Sequence, residues 1–277
     1  MARFTLVLLL AALAGALLAS PGASTAASVV STVHKKDTTY TLTESPGFGI
    51  GNGLTDPQVQ YKSYPEMAYN NSYHVQAVSY PLYAAMKAAV TPCVAMIAKC
   101  QSNKAACLAA QSFCNAALVA PYAASGLNVY DVREACKHPP LCYDFSRVER
   151  FLRLEHTRAQ LHVDPRAAKW EACNMAVHAG FAYDWMKNFH QLVVPMLEAG
   201  VKGLVYAGDA DFIVNWLGCK AWTVALEWSK GAQFVAAADQ PWVVDGAAAG
   251  EAFTLGEKQG AAMWGGAAEQ EDVVAVM

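Results

Sequence analysis

Two carboxylates stand in one short turn, Gly208-Asp209-Ala210-Asp211. The apolar run Gly203 to Ala207 precedes them, with the length and content of a buried strand, and a helix is expected to begin near Asn215. A carboxylate on a strand-to-helix turn is where a nucleophile–histidine–acid triad keeps its acid. Asp209 and Asp211 both stand in that turn.

The other two members of such a triad are not found beside it. The thirteen serines include none in Gly-x-Ser-x-Gly, the pattern of a nucleophile on a sharp strand-to-helix elbow. The seven histidines, at positions 34, 74, 138, 156, 162, 178 and 190, all precede Asp211, whereas the triad order on this kind of sheet puts the imidazole last. An alcohol needs a base with a proton affinity near neutrality to become a nucleophile, and imidazole is the usual one. His178 and His190 fall twelve apart on one expected helix, so neither has a metal partner one turn away. His156 and His162 flank a charged helix as solvated side chains, and His138 lies in a loop next to two prolines.

The eight cysteines form a second pattern. Cys93, Cys100, Cys107 and Cys114 repeat every seven residues, nearly two helical turns, with Gln101-Ser102-Asn103-Lys104 as a polar turn at the middle. Folding the chain there sets Cys100 against Cys107 and Cys93 against Cys114, a twice-stapled helical hairpin. Cys136 and Cys142 flank Lys-His-Pro-Pro-Leu and close a short loop. Zinc ligands come in pairs two to four apart, so this spacing argues against a metal site, and no cofactor is expected. Cys219 shares a helical stripe with Trp216, Trp222 and Leu226 and reads as a buried thiol. The spacing assigns no pair to Cys173.

These residues must be held by a sizeable fold. Of 277 residues, 55% are hydrophobic and 16% charged, which is enough apolar material for a core. A net charge of −3 without a basic block argues against nucleic-acid binding. Residues 1–27 read as an export signal: Arg3, then Phe4 to Ala19 apolar apart from Thr5, then small residues. That run is short for a membrane span, and no later stretch of the required length lacks a charge or break, so no span is expected after signal cleavage. Residues 28–47 read as a mobile leader. Asn70-Asn71-Ser72 is a glycan acceptor pattern on Asn70. The glycines at 47, 49, 51 and 53 fail the nucleotide-loop spacings and fit a strand edge entering a turn. Ser79 to Ala120 is expected to be largely helical, and residues 173–200 form another expected helix with Phe181, Trp185 and Phe189 as a core stripe. Helix, strand, turn, helix is the alternation of an α/β sheet with parallel strands.

The stretches "GIGNGLTDPQVQY", "LVAPYAASGLNVYDVREAC", "LCYDF", "WEACN", "DWMKNF", "VPMLEAGVKGLVYAGDADFIVNWLGCKAW" and "WVVDGAAAGEAFT" together resemble the serine carboxypeptidases of the vacuolar and lysosomal type. The resemblance implies an α/β-hydrolase fold with a helical, disulfide-stapled insertion (about 79–145) inside a partial domain at 48–260. It implies removal of single residues from peptide carboxyl termini, peptides as partners, and a lysosomal, vacuolar or secreted location. Asp211 matches the triad acid, and the six paired cysteines match those of the insertion. Cys173 matches a cysteine whose family partner lies ahead of the matched region. The front half of the sheet, with the nucleophile elbow, is expected to be missing, and 261–277 matches nothing in the family. The expectation is therefore a family member without hydrolytic activity. The alternatives are a non-enzymatic lumenal binding protein on a partial hydrolase scaffold, or a truncated gene product.

Overall fold

A computed structural model describes residues 29–35, 38–44, 47–244, 247–254 and 261–264. The stretch read as a leader contains two strands, Val29–Lys35 (β1) and Thr38–Glu44 (β2), paired antiparallel from Val29↔Glu44 to Lys35↔Thr38. Both segments are rich in Val and Thr, whose branched side chains favour extended backbone.

Gly47–Gly51 (β3) is an edge strand, followed by the short helix Pro57–Gln60 (α1) and by Tyr64–Tyr69 (α2). Asp56 starts α1 by accepting the Val59 N–H at 3.1 Å, with proline at the first helical position. Tyr80–Ser102 (α3) and Lys104–Cys114 (α4) form the expected hairpin, and the disulfides Cys93–Cys114 and Cys100–Cys107 cross it. Asn103 turns the chain and caps α4 through the Ala105 N–H at 3.0 Å. By length and composition α3 is long and apolar enough to cross a membrane, which differs from the sequence expectation; it carries Lys87, Pro92 and Lys99 and packs against α4. A π-turn, Asn115–Val119, leads into Ala120–Ala123 (α5).

Leu127–Asn128 (β4) and Asp131–Ala135 (β5) make a small antiparallel ribbon, and Cys136–Cys142 closes the loop after it. Ser146–Arg153 (α6) and Glu155–Gln160 (α7) follow. The single helix expected over 173–200 is instead broken into Met175–Gly180 (α8), a run of turns, a 3-10 turn at His190–Leu192, and Val193–Glu198 (α9). Gly180 weakens the middle of that stretch, and the polar groups of Lys187 and Asn188 bond to other parts of the chain instead of to their own helix. The aromatic stripe is corrected with it: Phe181 and Phe189 are exposed, and only Trp185 packs on the core.

Lys202–Ala207 (β6) pairs parallel with β3 on one side and with Ala261–Trp264 (β9) on the other. Trp216–Val224 (α10) and Gly231–Val235 (α11) lead to Asp239–Val244 (β7) and Ala247–Thr254 (β8). The sheet order is β3-β6-β9-β8-β7, parallel across its first three strands and antiparallel across the rest. Residues 261–264, read as part of an unmatched tail, thus occupy the middle of the sheet; Ala-Ala-Met-Trp is an apolar run suited to it. The glycines of β3 and β6 have a packing reason. The Phe48 ring lies over Gly203 and the Tyr206 ring over Gly51, each opposite the other in register, so a Cβ at either glycine would overlap an aromatic ring. The main core gathers Tyr61, Tyr64, Tyr122, Met186, Phe212 and Trp222, with Tyr122 and Phe212 stacked at 3.7 Å between centroids.

Candidate functional site

β6 ends at Ala207, and the turn Gly208–Asp211 carries the chain to Asn215, which caps α10 by accepting the Gly218 N–H at 3.0 Å. The turn is held from outside. The Val129 carbonyl accepts the N–H groups of Phe212 and Ile213 at 3.2 and 2.9 Å, and Val132 N–H donates to the Ala210 carbonyl at 2.8 Å. Tyr64 donates its hydroxyl to the Ile213 carbonyl at 2.8 Å. The β4–β5 ribbon and the aromatic core therefore fix where Asp211 stands.

Asp211 is buried, and both its oxygens accept hydrogen bonds: Oδ1 from the Val214 N–H at 3.0 Å and Oδ2 from Asn52 Nδ2 at 2.6 Å. Asn52 follows β3 with a left-handed backbone (φ 41°), and its own N–H donates to the Tyr206 carbonyl at 2.8 Å. This conformation is one asparagine adopts more readily than most residues. Asn52 escapes sequence reasoning; its only signal is a polar residue between Gly51 and Gly53 at a strand end. Cys219 sits nearby as the expected buried thiol, pushed well above the usual thiol range by burial and then by the Asp211 charge.

Asp209 belongs to a separate network. Its Oδ1 accepts the Tyr73 hydroxyl at 2.6 Å, and burial together with that acceptor raises the Tyr73 phenol above its ordinary range. Arg133 lies 5.1 Å from the Tyr73 ring centre and grips Asp131 at 2.8 and 2.7 Å. Of the two carboxylates in the turn, Asp211 is buried and Asp209 is bonded to Tyr73, whose ring Arg133 of the ribbon approaches.

The histidines are dispersed. His74, His138, His156 and His162 are exposed. His178, on α8, meets Trp185 edge-to-face at 5.3 Å. His190, expected on the same helix as His178, leaves it, and its Nδ1 stands 2.9 Å from Oδ2 of Asp56. The two residues are far apart in sequence, and no spacing rule connects them.

Next to the Asp211 turn lies a cleft of about 840 Å³. Ile213, two residues past Asp211, lines it together with Asn115, Leu141, Cys173, His178 and Trp185. Glu149 and Arg153 on α6 border it, paired at 3.0 Å. The wall is mostly apolar with a few polar groups, the makeup of a site for an organic ligand. Cys173 Sγ is 3.9 Å from Met175 Sδ. Asn70, in the acceptor pattern, is exposed at the end of α2, whereas Asn71 is buried and donates to the Met67 and Val75 carbonyls at 3.0 and 2.7 Å.

A family model described as serine carboxypeptidase matches residues 23–264, a span that takes in β1, β2 and β9. Over 193 residues the chain is 40% identical to carboxypeptidase Y homolog A of Uncinocarpus reesii, covering 68% of this chain and 35% of that protein. Over 206 residues it is 39% identical to a serine carboxypeptidase-like protein of Pisum sativum, covering 74% and 70%. Among solved structures it resembles Kex1(delta)p, a prohormone-processing carboxypeptidase from Saccharomyces cerevisiae. The TM-score is 0.60 and the identity 20%, with 77% of this chain and 48% of that one covered. The chain spans about a third of the length of the fungal relative and about half of the solved structure, and the structural likeness carries the α/β-hydrolase fold.

Proposed function

Because the chain belongs to the serine carboxypeptidase family, we propose that it holds peptide carboxyl ends in the cleft beside Asp211 without itself cleaving them. One observation carries the reading. Both oxygens of Asp211, the acid by resemblance, accept hydrogen bonds, from the Val214 N–H and the Asn52 amide. Among the described residues, His190 stands against a carboxylate other than Asp211, namely that of Asp56. In the 277 residues no histidine follows position 190 and no serine lies in Gly-x-Ser-x-Gly. A carboxylate orients and stabilises an imidazole in this chemistry but does not substitute for one, and losing the nucleophile and base costs a factor on the order of 10⁶ in rate.

The cysteines and Asn70 support a compartment as well. Six of the eight cysteines form disulfides, which persist in oxidising surroundings, and Asn70 is open to a glycosyltransferase. The reading is therefore a protein of the secretory pathway, lysosomal, vacuolar or secreted, with peptides as partners. The test pairs two assays on the purified chain. A fluorophosphonate probe is expected to label no serine, and a blocked dipeptide is expected to release no carboxyl-terminal residue above buffer. Fluorescence polarisation with labelled peptides is expected to show saturable binding that an amidated carboxyl end weakens. Labelling at a single serine with parallel peptide release would overturn the non-hydrolytic reading, and absence of saturable binding would overturn the peptide-holding one.

A further inference from the structure

Arg153 closes α6, and its side chain lines the cleft while staying 37% exposed. Its Nε donates to the Trp170 carbonyl at 2.8 Å, and its Nη2 stands 3.0 Å from Oε2 of Glu149, one turn earlier on the same helix. Glu149 is fixed in its turn, since Oε1 accepts the Ala172 N–H at 3.3 Å. Both ties run to residues 170–172, which lead into Cys173 on the cleft wall. The guanidinium is thus held along one edge, and among the described residues no bond takes Nη1.

We infer that Arg153 is the group in the cleft that recognises the terminal carboxylate of a bound peptide. This rests on the peptide-holding reading above and names the residue behind its preference for a free carboxyl end. A guanidinium is a planar fork whose N–H groups match the two oxygens of a carboxylate, and a fork already held in place loses little freedom on binding. Among the described lining residues, Arg153 is the one lysine or arginine, and His178 is packed edge-on against Trp185. The two acids of the wall are engaged: Glu149 with Arg153 and the Ala172 N–H, Glu171 with the Asn174 amide at 3.1 Å. Glu149 offsets part of the Arg153 charge, so the pair attracts a carboxylate less than a lone guanidinium does. Neutralising Glu149 while keeping its acceptor oxygen therefore strengthens the hold on a free carboxyl end. An arginine that merely braced residues 170–172 would give no such gain.

Fluorescence polarisation on the full chain tests this with one labelled peptide ending in phenylalanine, offered with a free or an amidated carboxyl end. The wild type is expected to bind the free end roughly tenfold more tightly. Arg153→Gln is expected to bring the two within about twofold, and Arg153→Lys, which keeps the charge but loses the fork, to fall between. Glu149→Gln is expected to widen the preference by about threefold, and it serves if Arg153→Gln fails to fold. An undiminished preference in folded Arg153→Gln, or one that does not widen in Glu149→Gln, would overturn the role of Arg153. Equal binding of both ends by the wild type would overturn it too, leaving the peptide-holding reading in place. Absence of saturable binding to either peptide would remove that reading and the inference with it.

Discussion

Asn52 and Asp211, 159 positions apart, meet at 2.6 Å where β3 and β6 end side by side. The contact joins the edge strand to the turn after β6. Removing the amide leaves a buried carboxylate oxygen without its donor, which costs about 2 kcal/mol. Asn52→Ala is expected to lower the urea midpoint accordingly, and Asn52→Asp, which sets two carboxylates together, to lower it further at neutral pH, where both are ionised. Urea titrations followed by tryptophan emission measure both; an unchanged midpoint in Asn52→Ala would show the contact to be incidental.

The outer hairpin staple should dominate the stability of the insertion. Cys93 and Cys114 are separated by 21 residues, and closing a loop of that length constrains the unfolded chain by about 3 kcal/mol in the chain-entropy account. The double variant Cys93→Ala, Cys114→Ala is expected to melt several degrees lower, with the larger loss in the amide protection of α3 and α4. Thermal unfolding with and without reductant measures the effect.

The stack of Phe212 on Tyr122 lies directly behind Asp211. Phe212 is fully buried, so Phe212→Ala opens a cavity and is expected to destabilise by about 3–5 kcal/mol, whereas Phe212→Leu retains much of the volume and costs less. Chemical denaturation of the two variants orders them; equal losses would mean that the ring packs more loosely than its burial implies.

Acid should act on the ribbon that braces the turn. Partial burial pushes the Asp131 carboxyl up, but hydrogen bonds and charge from Arg133 outweigh it and hold the group below the ordinary carboxylate range. A group depressed in the folded state contributes stability above its unfolded value, about 3.9, and loses that contribution as pH falls through the folded value. Asp131→Asn is therefore expected to be less stable than wild type by about 0.5 kcal/mol at neutral pH, the pair being largely screened by solvent. The gap is expected to close as the medium is acidified into that range. Melting temperatures across the acid series read the gap directly, and one that stays constant would contradict the assignment.

Much of this site is legible in local sequence because the forces involved are local. The seven-residue cysteine repeat reads as a hairpin since helical periodicity converts spacing into direction. Asp211 is found because a strand, a turn and an apolar helix entry are contiguous, and Cys219 because its stripe is. Asn52, Tyr73 and the His190–Asp56 pair escape, since each depends on a partner that only tertiary folding brings near. The stretch 173–200 departs from a single helix for a related reason. Its apolar periodicity is helical, but the bonds of Lys187 and Asn188 to the hairpin draw the backbone elsewhere, and local propensity is a weak prior against such bonds.

The two aromatic rings seated over opposing glycines also act as a ruler. Sliding β3 by one residue along β6 would lift Phe48 and Tyr206 out of their hollows together and turn every side chain of the strand to the wrong face. The neighbouring strands therefore have one admissible offset, and that offset delivers the asparagine at position 52 level with the acid at position 211.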